Sequence, residues 1–423
     1  MTIATSKPTV ATRAAAAVEG GASTLTCQHV LSPPPKQIGR GENAVSYSAR
    51  HTAWHCTFSR DGQWLAACFG APDPCIRMYK LQDTGNDSTF AGGGGGGGHW
   101  HLQSTLTGIH DRTVRTVAFA PIASPLVLAS ASFDGTVAIW EYSSKDTNVA
   151  TGEWECTAQL EGHDNEVKSA VWNVTGSLLG TCGRDKTVWI WECFLPGTVG
   201  GPDAVSREQS GDFECIAVLH GHEGDVKSIV FAPSHGEWGD GEEILLSASY
   251  DDTIKCWAED AGDWYCAASL SDVHSSTIWS LALSPGGGRM ISGSADGSLG
   301  IFKCYTNAEK KTRFPQEDQN RNGLWKCVGM LTEAHSASIY CVNYAPSRAG
   351  HGRIASSGAD NCIQIFREAM GSTSDKPLFS LDTSIATSHG DVNCVCWHPF
   401  DGSILASAGD DGTVRLWKYK SCD

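Results

Sequence analysis

No apolar run in this chain approaches the roughly 20 residues a membrane-spanning helix needs, so no such helix and no membrane partner are expected. Met1 to Ala22 has no apolar central region, so it does not read as an export signal. Cations are scarce: Lys plus Arg total 31 against 47 Asp plus Glu, a formal net charge of −16. Nucleic-acid binding rests on cations meeting phosphates, so this balance argues against a direct nucleic-acid partner. It favours partners that carry positive charge. No C-x-x-C occurs among the 17 cysteines, which removes a common metal or cluster spacing. Without an export signal, reduced thiols are expected. The first 22 residues are Ala/Thr-rich, with Lys7 and Arg13 as the only cations before Glu19. They are expected to form a disordered tail, and the composition faintly resembles a transit peptide.

What is abundant is repetition. "SASFDGTVAIW" ends at Trp140, "TCGRDKTVWIW" at Trp191, "SASYDDTIKCW" at Trp257 and "SAGDDGTVRLW" at Trp417. "SGSADGSLGIF" and "SSGADNCIQIF" end at Phe302 and Phe366, and a weaker first copy, "GAPDPCIRMY", ends at Tyr79. An Asp sits six residues before each aromatic: Asp73, Asp134, Asp185, Asp251, Asp296, Asp360 and Asp411. A Ser or Thr sits four before the Asp at Ser130, Thr181, Ser247, Ser292, Ser356 and Ser407; Phe69 breaks the rule in the first copy. Upstream of each copy lies a His (His110, His163, His222, His274, His335, His389, with His51 a loose match), then a strand alternating apolar and polar residues. Many short alternating strands between turn residues mean an all-β fold, and this pattern is the WD-repeat signature. Asp-Gly at 134–135, 296–297 and 411–412 favours tight turns between second and third strands.

Each four-stranded blade must satisfy the polar groups it buries. Indole N–H to hydroxyl, hydroxyl to imidazole and imidazole to carboxylate can do so. Four tetrads are therefore expected: His110, Ser130, Asp134, Trp140; His163, Thr181, Asp185, Trp191; His222, Ser247, Asp251, Trp257; and His389, Ser407, Asp411, Trp417. Copies five and six lose the indole donor to Phe302 and Phe366. Because the constellation recurs in blade after blade, it reads as structure, not as a nucleophilic triad, which a chain makes once. No catalytic residues, stable cofactor or metal are assigned, and the chain is not expected to be an enzyme.

Seven copies predict an all-β, seven-bladed propeller as a single domain over residues 23–423, after a tail at 1–22. The last copy ends at a third strand, so "STLTCQHVL" (Ser23–Leu31) is expected to close blade seven and remove a free sheet edge. Insertions near 83–99 (with "AGGGGGGGHW"), 195–211, 234–243 and 305–323 are expected to be flexible and to hold no core. Cys156, Cys215, Cys266 and Cys327 recur as "WEC", "FEC", "WYC" and "WKC" at each fourth strand. They are expected to be packing residues in separate blade cores, too far apart to share an ion.

Two positions per blade should face the top of the propeller: the residue before the Asp and the one that starts the first strand. They supply Arg115, Lys168, Lys227 and Arg184, flanked by Phe133 and Tyr250, in blades two to four. Trp279, Tyr340 and Trp54 follow in blades five, six and one. Trp, Tyr and Arg are typical binding hot spots, so this arc is the candidate partner site. Its natural ligand is an extended acidic segment, or a chain end carrying a carboxylate and an aromatic. The competing expectation is that Glu166, Asp225 and Asp251 neutralise the cations locally and the rings merely cover the channel.

Over roughly residues 48–419, "LEGHDNEVKSAVW", "TCGRDKTVWIWE", "SASYDDTIKCW", "SASFDGTVAIW", "DVNCVCWHP" and "LWKY" resemble the WD-repeat component of the cytosolic iron–sulfur protein assembly machinery, in blade order. The resemblance implies a scaffold that helps deliver clusters to cytosolic and nuclear apoproteins, located in the cytoplasm and also the nucleus. It implies a monomeric propeller in a hetero-complex with a small targeting-complex subunit, a helical-repeat targeting adaptor, an iron-only-hydrogenase-like cluster carrier and apoprotein clients. It marks the Arg of the blade-three motif as a binding residue, here Arg184, with Gly183 where the pattern has Ser. The alternative is a substrate receptor of a ubiquitin ligase or another WD40 adaptor. Such receptors often carry Trp-Asp-x-Arg after a repeat, and here the tryptophans are followed by "EY", "EC", "AE" and "KY".

Overall fold

Second strands of the repeats carry small and apolar residues without alternation, as in Ile244–Ser249, and every residue there is buried. A strand sandwiched between neighbouring sheets has both faces covered, so it needs no polar face. Fourth strands do alternate, as in Glu153–Leu160, and stay partly exposed. These two patterns already describe radial sheets packed face to face.

The computed structural model describes residues 23–32, 36–38, 45–47, 51–82, 99–143, 152–195, 211–233, 243–317, 324–346 and 352–422. They form seven four-stranded antiparallel sheets and one two-stranded ribbon (Lys36–Ile38 with Val45–Tyr47). The innermost strands of blades one to seven are Ala53–Phe58, Val114–Phe119, Val167–Trp172, Val226–Ala232, Ile278–Leu283, Ile339–Tyr344 and Val392–Trp397. Each packs against the next, and the last packs against the first, which closes the ring.

Blade seven is completed by Thr24–Leu31, which pairs antiparallel with Val414–Lys420 from Thr24↔Lys420 to Leu31↔Val414. Leu25 is buried with Trp397, Trp417 and Tyr419. Ser23 Oγ donates to Asp382 Oδ1 of blade six at 3.0 Å, and Tyr419 bonds the same carboxylate. The chain is thus fastened by its own N-terminal strand.

The core lies between blades. Seven apolar clusters fill the seven seams; one joins Phe58, Leu65 and Trp100 of blade one to Cys396 and Leu416 of blade seven. The fourth-strand cysteines are not all in it: Cys215 is exposed, and Cys156, Cys266 and Cys327 are half-buried. Each sits opposite the repeat aromatic, beside a bulge, and its Sγ donates to the carbonyl two residues on. Their separation on different fourth strands is as expected; their depth is not.

The insertion at 305–323 is not structureless. Asn307–Arg313 is a helix with a capping box in which Thr306 and Glu309 satisfy each other's backbone N–H groups. Lys310 is buried, and Phe314 packs edge-on to Tyr305 at 4.9 Å. Leu195, at the start of another expected insertion, is also core. Residues 1–22, 83–98, 196–210, 234–242 and 318–323 lie outside the described residues. Among the described residues, no helix is long and apolar enough to cross a membrane.

Candidate functional site: the upper face

All four tetrads form. In blade three, His163 Nδ1 lies 2.6 Å from Asp185 Oδ2 and Nε2 lies 2.9 Å from Thr181 Oγ1; Trp191 Nε1 donates to that hydroxyl at 3.0 Å. Blade two repeats this with His110–Asp134 at 3.0 Å, His110–Ser130 at 2.8 Å and Trp140–Ser130 at 2.9 Å. Blade four has His222–Asp251 at 2.8 Å, His222–Ser247 at 2.7 Å and Trp257–Ser247 at 2.8 Å. Blade seven has all three at 2.8 Å: His389–Asp411, His389–Ser407 and Trp417–Ser407. Blades five and six keep the His, Asp and Ser bonds with buried Phe in place of Trp. In blade one His51 contacts Gly70 O instead, because Phe69 stands where the hydroxyl would be.

The network has a fifth member beyond the expected four. Thr136, Thr187, Thr253, Ser298 and Thr413, two residues after the Asp, donate to its Oδ1. The signal was present as a recurring D-x-[T/S]. Burial alone would raise the Asp134 carboxyl, but bonds to His110 and Thr136 outweigh it and hold the group well below its ordinary value. Asp251 and Asp296 shift down in the same way.

These networks fix the turn that presents the residue before each Asp. Phe133 N, Tyr250 N and Ala295 N donate to carbonyls of the preceding His loop, and Arg184 N does so to Glu166 O at 2.8 Å. Ser132, Ser249 and Ser294 each brace their turn through Oγ. Gly183 lacks that hydroxyl, yet the same backbone bond forms. A Cβ there would lie 2.9 Å from Glu166 O.

The nine expected upper-face residues form a belt in two contact groups, Trp54, Phe133, Arg115 and Lys168, then Lys227, Tyr250, Trp279 and Tyr340, with Arg184 tied to the first group through Glu166. Trp54 and Phe133 lie 6.1 Å apart, with the Arg115 guanidinium 5.3 Å from the Trp54 ring. Lys168 Nζ sits 4.1 Å over Phe133. Lys227 Nζ lies 5.6 Å from Tyr250 and 5.0 Å from Trp279, and Trp279 meets Tyr340 edge-on at 5.4 Å. Tyr340 is hydrogen-bonded to Asp391, and Asn393 Nδ2 donates to Asp410 and to Ala53 O. The belt thus runs from cationic blades two to four to an acidic corner in blade seven.

The cations are not equally free. Glu166, 9% exposed, takes Arg112 at 2.7 Å, Lys168 at 2.6 Å and Arg184 at 3.7 Å. Asp225 takes Lys227 at 3.0 Å. Two of the three expected neutralising acids do that work; Asp251 is committed to His222. The Lys168 and Lys227 side chains are nearly covered, whereas Arg184 is 55% exposed and Tyr250 61%. Arg115 is half-buried, and burial lowers its pKa. Arg112, not singled out from sequence, is as open as Arg184 and also donates to Phe133 O. Among the described residues, no group of three or more His, Cys, Asp or Glu is arranged to hold a metal ion.

Comparison with known proteins fits this geometry. The family described as WD domain, G-beta repeat matches residues 100–141, 154–192, 213–258, 264–303, 325–367 and 380–418, each segment running from the fourth strand of one blade through the first three strands of the next. The three inner strands of the divergent first blade, with Phe69 in place of a hydroxyl, are outside the match. A protein of Chaetomium globosum named "Probable cytosolic iron-sulfur protein assembly protein 1" is 30% identical over 75% of this chain and 85% of its own. Proteins of the same name from Scheffersomyces stipitis and Candida glabrata are 32% identical over 86% of this chain and 96% of theirs, and 36% identical over 74% and 83%.

Proposed function

This chain belongs to the WD-repeat family of cytosolic iron–sulfur protein assembly protein 1, and on that premise we propose that it is a non-enzymatic scaffold for delivering iron–sulfur clusters to apoproteins. WD40 propellers are typically non-catalytic platforms, and function resides in the surface they display. The cluster is cargo in this reading. The protein works in the cytoplasm, with nuclear clients reached as well. Its partners are a small targeting-complex subunit, a helical-repeat targeting adaptor, an iron-only-hydrogenase-like cluster carrier and the clients.

The observation that carries the proposal is the upper-face belt, where Arg184 and Tyr250 stay open while their neighbours are held rigid by ion pairs and ring contacts. Rigid aromatic and arginine groups on one face lose little entropy on binding. The belt suits an extended acidic segment, or a chain end with a carboxylate and an aromatic. Arg184 takes the carboxylate as a bidentate partner, and Tyr250 and Phe133 flank it. The repeated hydroxyl–imidazole–carboxylate sets offer no free nucleophile: in blades two, three, four and seven the hydroxyl accepts an indole N–H, and Ser292 and Ser356 of blades five and six are fully buried.

Affinity purification from cells followed by mass spectrometry tests this. Recovery of cluster-assembly factors is expected; ubiquitin-ligase subunits without any such factor would contradict it.

A further inference from the structure

Beneath the upper-face belt, the innermost strands of blades six, seven and one bring four thiols together. Cys341 Sγ lies 4.0 Å from Cys394 Sγ, and Cys56 Sγ lies 3.8 Å from Cys396 Sγ. Cys394 Sγ also donates to Cys56 O at 3.5 Å, so the two pairs touch. Cys56, Cys394 and Cys396 are buried, whereas Cys341 is partly open. The His55 side chain borders Cys394, and its Nδ1 is buried without a hydrogen-bond partner. These residues come from three blades far apart in sequence. The inner strands carry only six residues each, so four thiols here form a local concentration that packing alone did not require.

We propose that Cys341 and Cys394 are a site of reversible oxidative modification, forming a disulfide across the seam between blades six and seven when the protein meets a peroxide. The two thiols face one another in the reduced protein, and Cys341 is the less covered residue of the pair. Cys341 Sγ donates to Cys394 Sγ, which favours the Cys394 thiolate, so Cys394 is the nucleophile. Its sulfur attacks the peroxide O–O bond and becomes a sulfenic acid; the second oxygen leaves as hydroxide and takes a proton. The Cys341 sulfur then displaces that sulfenic oxygen, which leaves as water with the Cys341 proton. Two thiols lose two electrons and the peroxide gains them. A thiol reductant reverses the change.

Disulfide formation must shorten the sulfur separation from 4.0 Å to about 2.05 Å. Each cysteine follows a belt residue directly: Tyr340 precedes Cys341, and Asn393 precedes Cys394. Closing the pair therefore shifts the Trp279–Tyr340 contact and the Tyr340–Asp391 bond. The disulfide stands independently of the proposed function; its effect on docking rests on that reading.

The test uses the full chain under native conditions. It is treated with hydrogen peroxide, alkylated and mapped by mass spectrometry, with and without a reductant. A Cys341–Cys394 crosslinked peptide is expected, reversible by reductant and absent from the Cys341→Ser and Cys394→Ala variants. Recovery of both residues as alkylated thiols, while exposed Cys27, Cys215 and Cys422 are oxidised, would overturn the proposal. So would oxidation of either to a sulfinic or sulfonic acid without pairing. If the crosslink forms but partner recovery is unchanged, the modification stands and its link to docking fails.

Discussion

Arg184 and Asp185 are chain neighbours with opposite commitments: the Asp185 carboxylate lies 2.6 Å from His163 Nδ1, while the Arg184 guanidinium stays 55% exposed, 3.7 Å from Glu166. The turn that hides one presents the other. Asp185→Ala leaves His163, Thr187 and two backbone N–H groups short of an acceptor, so it should cost roughly 1–3 kcal/mol. Arg184→Glu breaks only a long surface pair and should change stability by about 0.5 kcal/mol or less. Urea denaturation of both variants checks the split, and equal losses would contradict it.

Acid should weaken the fold through the turn aspartates. Burial alone would raise the Asp411 carboxyl, but bonds to His389 and Thr413 outweigh it and bring it down to about 2. A folded-state value below the unfolded one, about 3.9, favours the folded protein when the group is ionised. That contribution is full above about pH 4 and is lost as pH falls towards 2. After solvent screening it is on the order of 1 kcal/mol per aspartate. The urea midpoint should therefore drop steeply below about pH 4, and less steeply in Asp411→Asn. A midpoint unchanged down to pH 2.5 would contradict this.

Lys186 occupies a left-handed backbone position, φ 69°, where the matching turns have Gly135, Gly297 and Gly412. Its side chain is exposed. Lys186→Gly should raise stability by about 0.5–1 kcal/mol, because the left-handed strain goes and no buried contact is lost. Thermal or urea unfolding measures it; a loss of stability would contradict the assignment.

Removing residues 1–22 should leave unfolding cooperative and its midpoint unchanged. Removing residues 1–31 takes away a whole ladder of Val414–Lys420 and uncovers Trp397, Trp417 and Tyr419. That truncation should lower the melting temperature by several degrees or yield insoluble protein. Equal behaviour of the two truncations would contradict the closure.

The repeats were legible because the same residues recur at fixed spacing, so blade count, tetrads and upper-face positions could be read by counting. Closure by Ser23–Leu31 followed from a last repeat one strand short. The helix Asn307–Arg313 was not legible. It has no apolar stripe, and Lys303 and Arg313 hold it through Glu309 and through Asp375, a residue from the next blade. The Glu166 hub was legible only in part, since Arg112 lies neither before the turn Asp nor at the start of the first strand. The four inner thiols were not legible as a group because only Cys394 and Cys396 are near in sequence; the seam with blade six supplies Cys341 and ring closure supplies Cys56.

The most direct test of the scaffold account is quantitative affinity purification of wild-type and Arg184→Glu protein expressed to equal levels in the same cells. A fall of about tenfold or more in recovered cluster-assembly factors or their clients is predicted, with the melting temperature unchanged, equivalent to about 1.4 kcal/mol of binding. Equal recovery of every partner would contradict a docking role for the upper face.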